Sequence, residues 1–228
     1  MSRFKAIAFD LDGVILESVA IKLEAMQVLF AGHEAHLAEI AALHERHAGI
    51  SRYVKFDAIY RDILDTPLAP EARDELGRKF SNLVVEKVLA CPFVPGAREF
   101  LEAHHRSTPL FVVSGTPDEE LAAIVSGRGL APYFKGVYGT GRGKAEILRS
   151  ILANLTCTAR DLVFVGDGLT DFEAARAVAV PFVGRVREGE DSPFPASTAI
   201  VLDLTELDKA LENVTTFPLE TVSPSCSS

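Results

Sequence analysis

Residues 4–18 limit the fold of this 228-residue chain more than any other part of the sequence. The segment begins with a nearly continuous apolar run, residues 4–9, which is typical of a strand buried on both faces of a parallel sheet. Asp10, Asp12 and Gly13 follow at once. Because residues two apart in an extended chain point the same way, we expect both carboxylates at the carboxyl end of this strand, where open α/β sheets bind their ligands. Adjacent acids repel each other unless a cation or a shared proton offsets their charge, so the pattern predicts a divalent metal.

The Asp-x-Asp-Gly pattern by itself leaves two other interpretations, an ordinary turn and the start of a calcium-binding loop. A calcium loop would need a glutamate at its twelfth position, counted from Asp10, and that position holds Ile21. The calcium loop is therefore excluded, and the turn stays open until the rest of the chain is considered.

The composition is that of a soluble globular protein, with 48% hydrophobic and 24% charged residues. The length allows one large domain or two small ones. No apolar run approaches the roughly 20 residues of a membrane span. No secretory signal pattern is present either, so we expect a cytoplasmic protein without a membrane partner. The net charge of −9 and the lack of a basic stripe argue against nucleic acid as a partner.

A block of helices is predicted directly after the first strand. Apolar residues recur at helical spacing in four stretches, which are residues 19–30, 37–43, 53–63 and 76–88. We find no strand pattern between residues 18 and 90, and a simple crossover needs only a dozen or more residues. The sequence therefore predicts a helical module inserted after the first strand, with the chain returning at the turn residues of 91–96.

The rest of the chain alternates between helix and strand. Strands are predicted at residues 110–113, 135–139, 162–165, 181–183 and 198–202, and helices at 97–105, 117–127, 143–155, 172–178 and 204–212. Thr116 is predicted as an N-cap, with Pro117 at the first helical position. This order predicts an α/β fold with a doubly wound parallel sheet covered on both faces. The last dozen residues lack periodicity, so residues 213–228 are predicted to form a disordered tail.

Polar residues suited to phosphate and metal chemistry follow several of these strands. Their positions are Asp10, Asp12, Ser114, Gly115, Lys144, Asp167 and Asp171. Carboxyl ends of parallel strands meet at one edge of a sheet, so we expect these groups to converge.

The same residues resemble the four motifs of the haloacid-dehalogenase-like (HAD) hydrolase superfamily, in order and in approximate spacing. The matching segments are residues 10–14, residues 112–115, Lys144 and residues 166–171. The insertion resembles the small cap of the branch that contains phosphoglycolate phosphatases and β-phosphoglucomutase. The resemblance implies a HAD-like catalytic core of residues 1–17 and 91–212, with a helical cap of residues 18–90.

The resemblance also implies the chemistry of a Mg²⁺-dependent phosphatase acting on a small phosphorylated metabolite. Asp10 would attack phosphorus to form an aspartyl-phosphate, and Asp12 would act as general acid and base. The metal would be held by Asp10, the backbone carbonyl of Asp12, Asp167 and Asp171. Ser114, Gly115 and Lys144 would bind the phosphoryl oxygens that do not react.

Other activities of the superfamily stay open to different degrees. Dehalogenases lack the second aspartate, so Asp12 argues for phosphate chemistry. Phosphonate hydrolysis would require a cap lysine that forms an imine, for which Lys22 and Lys55 are candidates, although both are predicted to lie on solvated helix faces. A phosphosugar mutase and a non-catalytic sugar-phosphate-binding protein are further alternatives.

The segment 49–56 joins two predicted cap helices and resembles the substrate-specificity loop of this branch. Arg52 and Lys55 could there bind a carboxylate or second phosphate on the leaving group. The alternative is that Ser51 is an N-cap and Arg52 a surface residue of the first turn. Four cap histidines are predicted to lie on the surface, at positions His33, His36, His44 and His47.

Overall fold

The computed structural model describes residues 3–214, and these contain one six-stranded sheet in which all strands run parallel. The strands are β1 (Ala6–Phe9), β2 (Leu110–Pro117), β3 (Gly136–Thr140), β4 (Leu162–Gly166), β5 (Phe182–Arg185) and β6 (Ala199–Val201). Their order across the sheet is β3-β2-β1-β4-β5-β6. The chain therefore winds outward in both directions from β1, as the alternating pattern predicts.

The register of the central strands brings their carboxyl ends level. Phe9 of β1 lies opposite Val112 of β2 on one side and Val165 of β4 on the other. The residues that follow these three positions are therefore delivered to one edge of the sheet. Asp10 is the first of them, and its backbone N–H continues the ladder by donating to the carbonyl of Val165 at 2.9 Å.

Helices cover both faces of the sheet. The helices of the described chain are α1 (Val19–Leu29), α2 (Leu37–Arg46), α3 (Arg52–Asp62), α4 (Pro70–Ala90), α5 (Ala97–His104), α6 (Asp118–Gly127), α7 (Lys144–Leu155), α8 (Leu169–Ala177) and α9 (Leu207–Asn213). Side chains of β1 alternate between two apolar clusters, with Ile7 and Phe9 in one and Ala6 and Ala8 in the other. This two-sided burial explains why the strand reads as a continuous apolar run.

Helices α1 to α4 form the predicted insertion between β1 and α5. Three fully buried phenylalanines connect them, since the ring of Phe56 lies 6.2 Å from the rings of both Phe30 and Phe80. Aromatic pairs at such distances add about 0.5–1.5 kcal/mol beyond the burial of their area. The insertion therefore has apolar packing of its own.

The two chain segments that link this insertion to the sheet are hydrogen-bonded to each other. The N–H of Glu17 donates to the carbonyl of Pro92, and the N–H of Val94 donates to the carbonyl of Ile15, both at 3.0 Å. The connection is thus two adjacent chain segments joined by one antiparallel bridge between Leu16 and Phe93, which is a suitable place for a hinge.

Three predicted helix starts are wrong, and one of them is α9, which begins at Leu207 and not at residue 204. Helix α6 begins at Asp118 with Pro117 as its N-cap, because β2 continues to Pro117 and the Thr116 hydroxyl is bound elsewhere. Helix α8 begins at Leu169 rather than near residue 172, because the carboxylate of Asp171 accepts from the N–H of Gly168 and caps the helix earlier. Of the predicted tail of residues 213–228, Asn213 instead ends α9 and Val214 is buried in the core, and the part from residue 215 onward lies outside the described residues. None of the helices in residues 3–214 is long and apolar enough to cross a membrane.

Candidate active site

Three carboxylates converge at the carboxyl edge of the sheet. Asp10 follows β1, and Asp167 and Asp171 follow β4. One oxygen from each carboxylate lies within 4.8 Å of the other two. Gly13 makes this approach possible: its φ is +72°, and a Cβ built there would lie 2.0 Å from Oδ2 of Asp167. A side chain at position 13 would displace that carboxylate.

Lys144, the first residue of α7, provides the positive charge within this cluster. Its Nζ lies 2.8 Å from Oδ2 of Asp10 and 2.6 Å from Oδ1 of Asp171, and its side chain is 8% exposed. Burial disfavours the ammonium, but the two carboxylates outweigh this effect and raise the pKa of Lys144. Lys144 therefore remains charged at the centre of the site.

One ammonium does not neutralise three carboxylates. Burial raises the pKa of Asp10 to about 7, against the attraction of Lys144, and the charge of Asp171 adds to the rise. Burial and the charge of Asp10 also raise the pKa of Asp167 well above its ordinary value. Clustered carboxylate oxygens with uncompensated negative charge fit a hard divalent cation such as Mg²⁺, so Asp10, Asp167 and Asp171 could hold one.

The carboxylate of Asp12 has separate partners. Oδ1 accepts a hydrogen bond from Ser18 at 2.6 Å, and Oδ2 accepts from Lys22 and, at 3.3 Å, from Thr116. Burial alone would raise the pKa of Asp12, but the charge and hydrogen bond of Lys22 hold it below its ordinary value. The Asp12 side chain is thus an ionised carboxylate held apart from the three-carboxylate cluster.

The prediction that Lys22 lies on a solvated helix face is wrong. Its side chain is 15% exposed, and its Nζ bonds both Asp12 and, at 2.8 Å, the hydroxyl of Thr116. Helix α1 begins only seven residues after Asp12, so a lysine in its first turn can fold back onto the sheet edge. That proximity in sequence was the one signal that could have identified Lys22.

Ser114 and Gly115 lie in the last part of β2, beside the carboxylates. Ser114 is buried, and its Oγ accepts a hydrogen bond from the N–H of Thr116 at 3.2 Å. A Cβ at Gly115 would lie 2.5 Å from the carbonyl oxygen of Gly49, so a glycine is needed where the insertion approaches the sheet. Together with Lys144, these residues border one cavity.

The loop between α2 and α3 covers the site. The hydroxyl of Thr170 donates to the carbonyl of Ala48. Gly49 has a φ of +80°, and a Cβ there would lie 2.9 Å from Nζ of Lys144. The loop therefore rests directly on the carboxyl edge of the sheet, so the structure represents a closed arrangement of the cap.

Acidic residues of the core line one side of the covered chamber, and basic residues of the cap line the other side. Asp10, Asp12 and Asp167 border it from the core, whereas the cap contributes a basic set, which is Lys22, His44, Arg52 and Lys55. This chamber has a volume of about 60 Å³, and a second, more open cavity of about 820 Å³ borders Ser114, Gly115 and Lys144.

Unlike Lys22 and Arg52, Lys55 is bonded to no carboxylate among residues 3–214. Its side chain is buried, and its Nζ donates to the carbonyl of His44 at 3.2 Å and lies 3.4 Å from Nδ1 of the same residue. Burial, together with the charge of Lys22, lowers the pKa of Lys55 to about 7. The expected solvated face for Lys55 is therefore wrong.

The prediction that His44 lies on the surface is also wrong. It is buried beside Lys55, and burial together with the charge of Lys55 lowers its pKa to about 3, so its ring is neutral near pH 7. His33 and His47 are exposed as predicted, and His36 is partly exposed.

Arg52 is buried rather than at the surface, and its guanidinium is bound within the protein. Glu120 of α6 accepts from both terminal nitrogens, at 2.9 Å and 2.5 Å, and Ser81 of α4 accepts at 2.8 Å. Sequence reasoning did not identify Glu120 or Ser81, because only the packing of the cap onto α6 brings them to Arg52.

Comparison with known proteins agrees with this geometry. The family model of the haloacid dehalogenase-like hydrolases matches residues 4–179. The chain is 27% identical over 206 residues to a phosphoglycolate phosphatase of Salmonella typhi, with 81% of this chain and 82% of the relative covered. A phosphoglycolate phosphatase of Shigella boydii is 25% identical over 211 residues, with 81% and 83% covered.

A solved structure shows the same fold. The crystal structure of a hydrolase from Pseudomonas syringae superposes with a TM-score of 0.74 at 18% sequence identity, over 92% of this chain and 100% of that chain. With four sequence motifs at one sheet edge, a family model covering most of the chain and this shared fold, the chain belongs to the haloacid dehalogenase-like hydrolases.

Proposed function

We propose that the protein is a Mg²⁺-dependent phosphatase that hydrolyses a small phosphorylated metabolite through an aspartyl-phosphate on Asp10. The observation that carries the proposal is the cluster of Asp10, Lys144, Asp167 and Asp171 beneath a closed cap. The similarity to phosphoglycolate phosphatases supports it.

The first half of the reaction would transfer the phosphoryl group to the protein. An oxygen of Asp10 attacks phosphorus, and the bond between phosphorus and the leaving oxygen breaks. The leaving oxygen takes up a proton. We propose that the hydrogen-bonded pair of Asp12 and Lys22 supplies that proton from Nζ of Lys22, and that the proton Asp12 later takes from water returns to Lys22.

The second half would regenerate Asp10. Water attacks the aspartyl-phosphate and gives a proton to the carboxylate of Asp12, and phosphate leaves from Asp10. The low pKa of Asp12 suits this role as a base. Ser114, Gly115 and Lys144 would hold the oxygens of the phosphoryl group that do not react.

The donor set for Mg²⁺ would be Asp10, Asp167 and Asp171, with the backbone carbonyl of Asp12. When bound, the ion would offset the charge of these carboxylates and of the phosphoryl group. The uncompensated charge of Asp10 and Asp167 supports this assignment.

We propose that Lys55 faces the leaving group. A buried amine without an acidic partner is unfavourable unless a ligand supplies the negative charge, so a carboxylate or second phosphate on the substrate would stabilise it. Arg52, the second predicted specificity residue, borders the same chamber, but its guanidinium is bound to Glu120 and Ser81.

The proposal is tested by phosphate release from an aryl phosphate and from a panel of small phosphorylated metabolites. Activity that requires both Mg²⁺ and Asp10, and is lost in Asp10→Asn, is the expected result. Asp208→Asn, at an exposed side chain of helix α9, is the matched control. Absence of release from every substrate would overturn the proposal, and turnover that requires a sugar bisphosphate without net phosphate release would indicate a mutase.

Phosphonate hydrolysis is a second candidate, favoured by the position of Lys55. An amine with a pKa of about 7 is partly neutral at physiological pH and can condense with an aldehyde to form an imine, with loss of water. Incubation with a phosphonoaldehyde and borohydride, followed by mass spectrometry, tests this candidate. A reduced adduct on Lys55 would establish it, whereas an unmodified Lys55 would exclude it.

A further inference from the structure

Arg52, Glu120 and Ser81 form one buried polar cluster between the cap and the core. Arg52 and Glu120 make a two-pronged ion pair in which both side chains are more than nine-tenths buried, at 5% and 7% exposure. The Ser81 hydroxyl accepts from Arg52 at 2.8 Å and donates to Glu120 at 2.5 Å. The guanidinium carbon also lies 4.5 Å from the ring centroid of Phe80. Both terminal nitrogens of Arg52 and both carboxylate oxygens of Glu120 are therefore hydrogen-bonded.

The three polar members of the cluster come from three different helices. Arg52 begins α3, Ser81 lies within α4, and Glu120 lies in the first turn of α6. Helices α3 and α4 belong to the insertion, whereas α6 follows directly on β2, the strand that carries Ser114 and Gly115. The cluster therefore ties the cap to the part of the core that borders the catalytic edge.

The energetic consequence depends on which groups lose partners when the cap moves. A rigid movement of the cap away from the core would leave Arg52 and Ser81 together but separate both from Glu120. Buried, hydrogen-bonded charge pairs of this kind are more strongly coupled than exposed ones. The closed arrangement is thus favoured by an interaction that the open one cannot make.

A substrate-binding role for Arg52 is a competing interpretation, because the residue also borders the chamber. In the closed structure Glu120 occupies both terminal nitrogens of its guanidinium. An anionic ligand could bind Arg52 in the same way only by displacing Glu120. The geometry therefore favours a contact within the protein.

We propose that Glu120 is a positioning residue that holds the cap closed over the active site by binding Arg52 and Ser81. Through Arg52 it fixes the start of α3, and hence the loop of residues 48–51 that covers Lys144 and Gly115. The closure itself does not depend on the proposed function, and only its effect on KM does.

The test compares Glu120→Gln with Glu119→Gln, a matched change at the neighbouring, exposed residue of the same helical turn. Spin labels are placed through non-natural amino acids at Glu71 of the cap and Arg106 of the core, both exposed. Double electron–electron resonance then measures the distance distribution in the full chain with Mg²⁺ and without substrate. Because closure is measured without turnover, a failed phosphatase assay leaves this result intact.

We expect Glu120→Gln to lower the ratio of closed to open molecules by about tenfold to a hundredfold, while Glu119→Gln changes it less than about twofold. In the activity assay, KM should rise more than kcat falls. The charge-reversed pair Arg52→Glu with Glu120→Arg should recover part of the closed population, and Ser81→Ala should show a smaller shift in the same direction. Circular dichroism spectra that match the spectrum of the native chain would show that the variants are folded, so that a changed distance reports opening of the cap.

Three results would overturn the proposal. One is a native chain that is open without substrate. Another is a Glu120→Gln variant with the native distance distribution. The third is a fall in KM in Glu120→Gln, since this would mean that Glu120 competes with substrate for Arg52.

Discussion

Lys22, on the first helix of the cap, donates a hydrogen bond to Oδ2 of Asp12, which follows the first strand of the core. The contact joins the two parts of the molecule at the residue proposed as general acid and base. The cap therefore contributes a bonded side chain to the carboxyl edge of the sheet in addition to covering it.

Lys22→Met should lower kcat by about tenfold to a thousandfold, since general acid–base catalysis contributes about 10²–10⁴ and part of it would remain. Without Lys22 the pKa of Asp12 should rise, because its main positive neighbour is gone. The limb of the pH–activity profile that requires ionised Asp12 should then move to higher pH. Lys79→Met, at an exposed site on α4, should leave the profile unchanged. Equal profiles for both variants would contradict this role.

Asp10 should make the metal-free protein less stable as pH rises. Its pKa is about 7 when folded and about 3.8 when unfolded, so the folded state binds more protons between these values. The free energy of unfolding contributed by Asp10 therefore falls across about pH 4 to 7. In the presence of a chelator, the free energy of unfolding of Asp10→Asn should rise relative to that of the native chain by up to a few kcal/mol over this range. Urea unfolding at several pH values measures the difference.

Adding Mg²⁺ to the same proteins provides the corresponding control. A cation that binds only the folded state should stabilise the native chain above pH 7 and should have a smaller effect on Asp10→Asn. An equal effect of Mg²⁺ on both proteins would show that Asp10 does not hold the metal.

Lys55 should have the opposite dependence on pH. Its pKa is about 7 when folded and about 10.5 when unfolded, so the unfolded state binds more protons between these values. The penalty of the buried amine is complete below about pH 7 and is lost as pH rises towards 10.5. Lys55→Met should be more stable than the native chain at pH 7 by up to a few kcal/mol, with a difference that shrinks at higher pH. A difference independent of pH would contradict the low pKa.

Gly115→Ala should disturb cap closure and leave the core intact. The new Cβ would lie 2.5 Å from the carbonyl oxygen of Gly49, so the covering loop must move away. We expect KM to rise by about tenfold or more, with a change in the free energy of unfolding of about 1 kcal/mol or less. Gly32→Ala is the control, because a Cβ at that cap position contacts nothing within 4 Å. An unchanged KM in Gly115→Ala would show that the loop does not rest on the site during turnover.

The helices and strands, and the four sequence motifs of the core domain, could be predicted because local sequence patterns determine them. The apolar run before Asp10, the return at residues 91–96 and the alternation after it are features of short segments, and each is present in the structure. Helix starts were less predictable. Thr116 is a good N-cap by sequence, but its hydroxyl bonds Lys22, which is 94 residues away along the chain.

The basic cap residues that border the chamber could not be predicted in the same way. Lys22, His44 and Lys55 have the sequence pattern of polar helix residues, and only their position over the sheet edge distinguishes them from solvated ones. The cluster of Arg52, Ser81 and Glu120 likewise depends on the packing of three helices.

The sequence by itself determined the doubly wound parallel fold class, the place of the insertion and the residues at the carboxyl edge of the sheet, because strand ends of a parallel sheet meet wherever the sheet forms. The tertiary structure alone decided which cap residues face that edge and which charges are paired there. Apart from the pair of Lys22 and Asp12, which lie close in sequence, the burial, pKa values and ion pairs of the cap residues arise from contacts between segments distant in sequence, which residue spacing does not reveal.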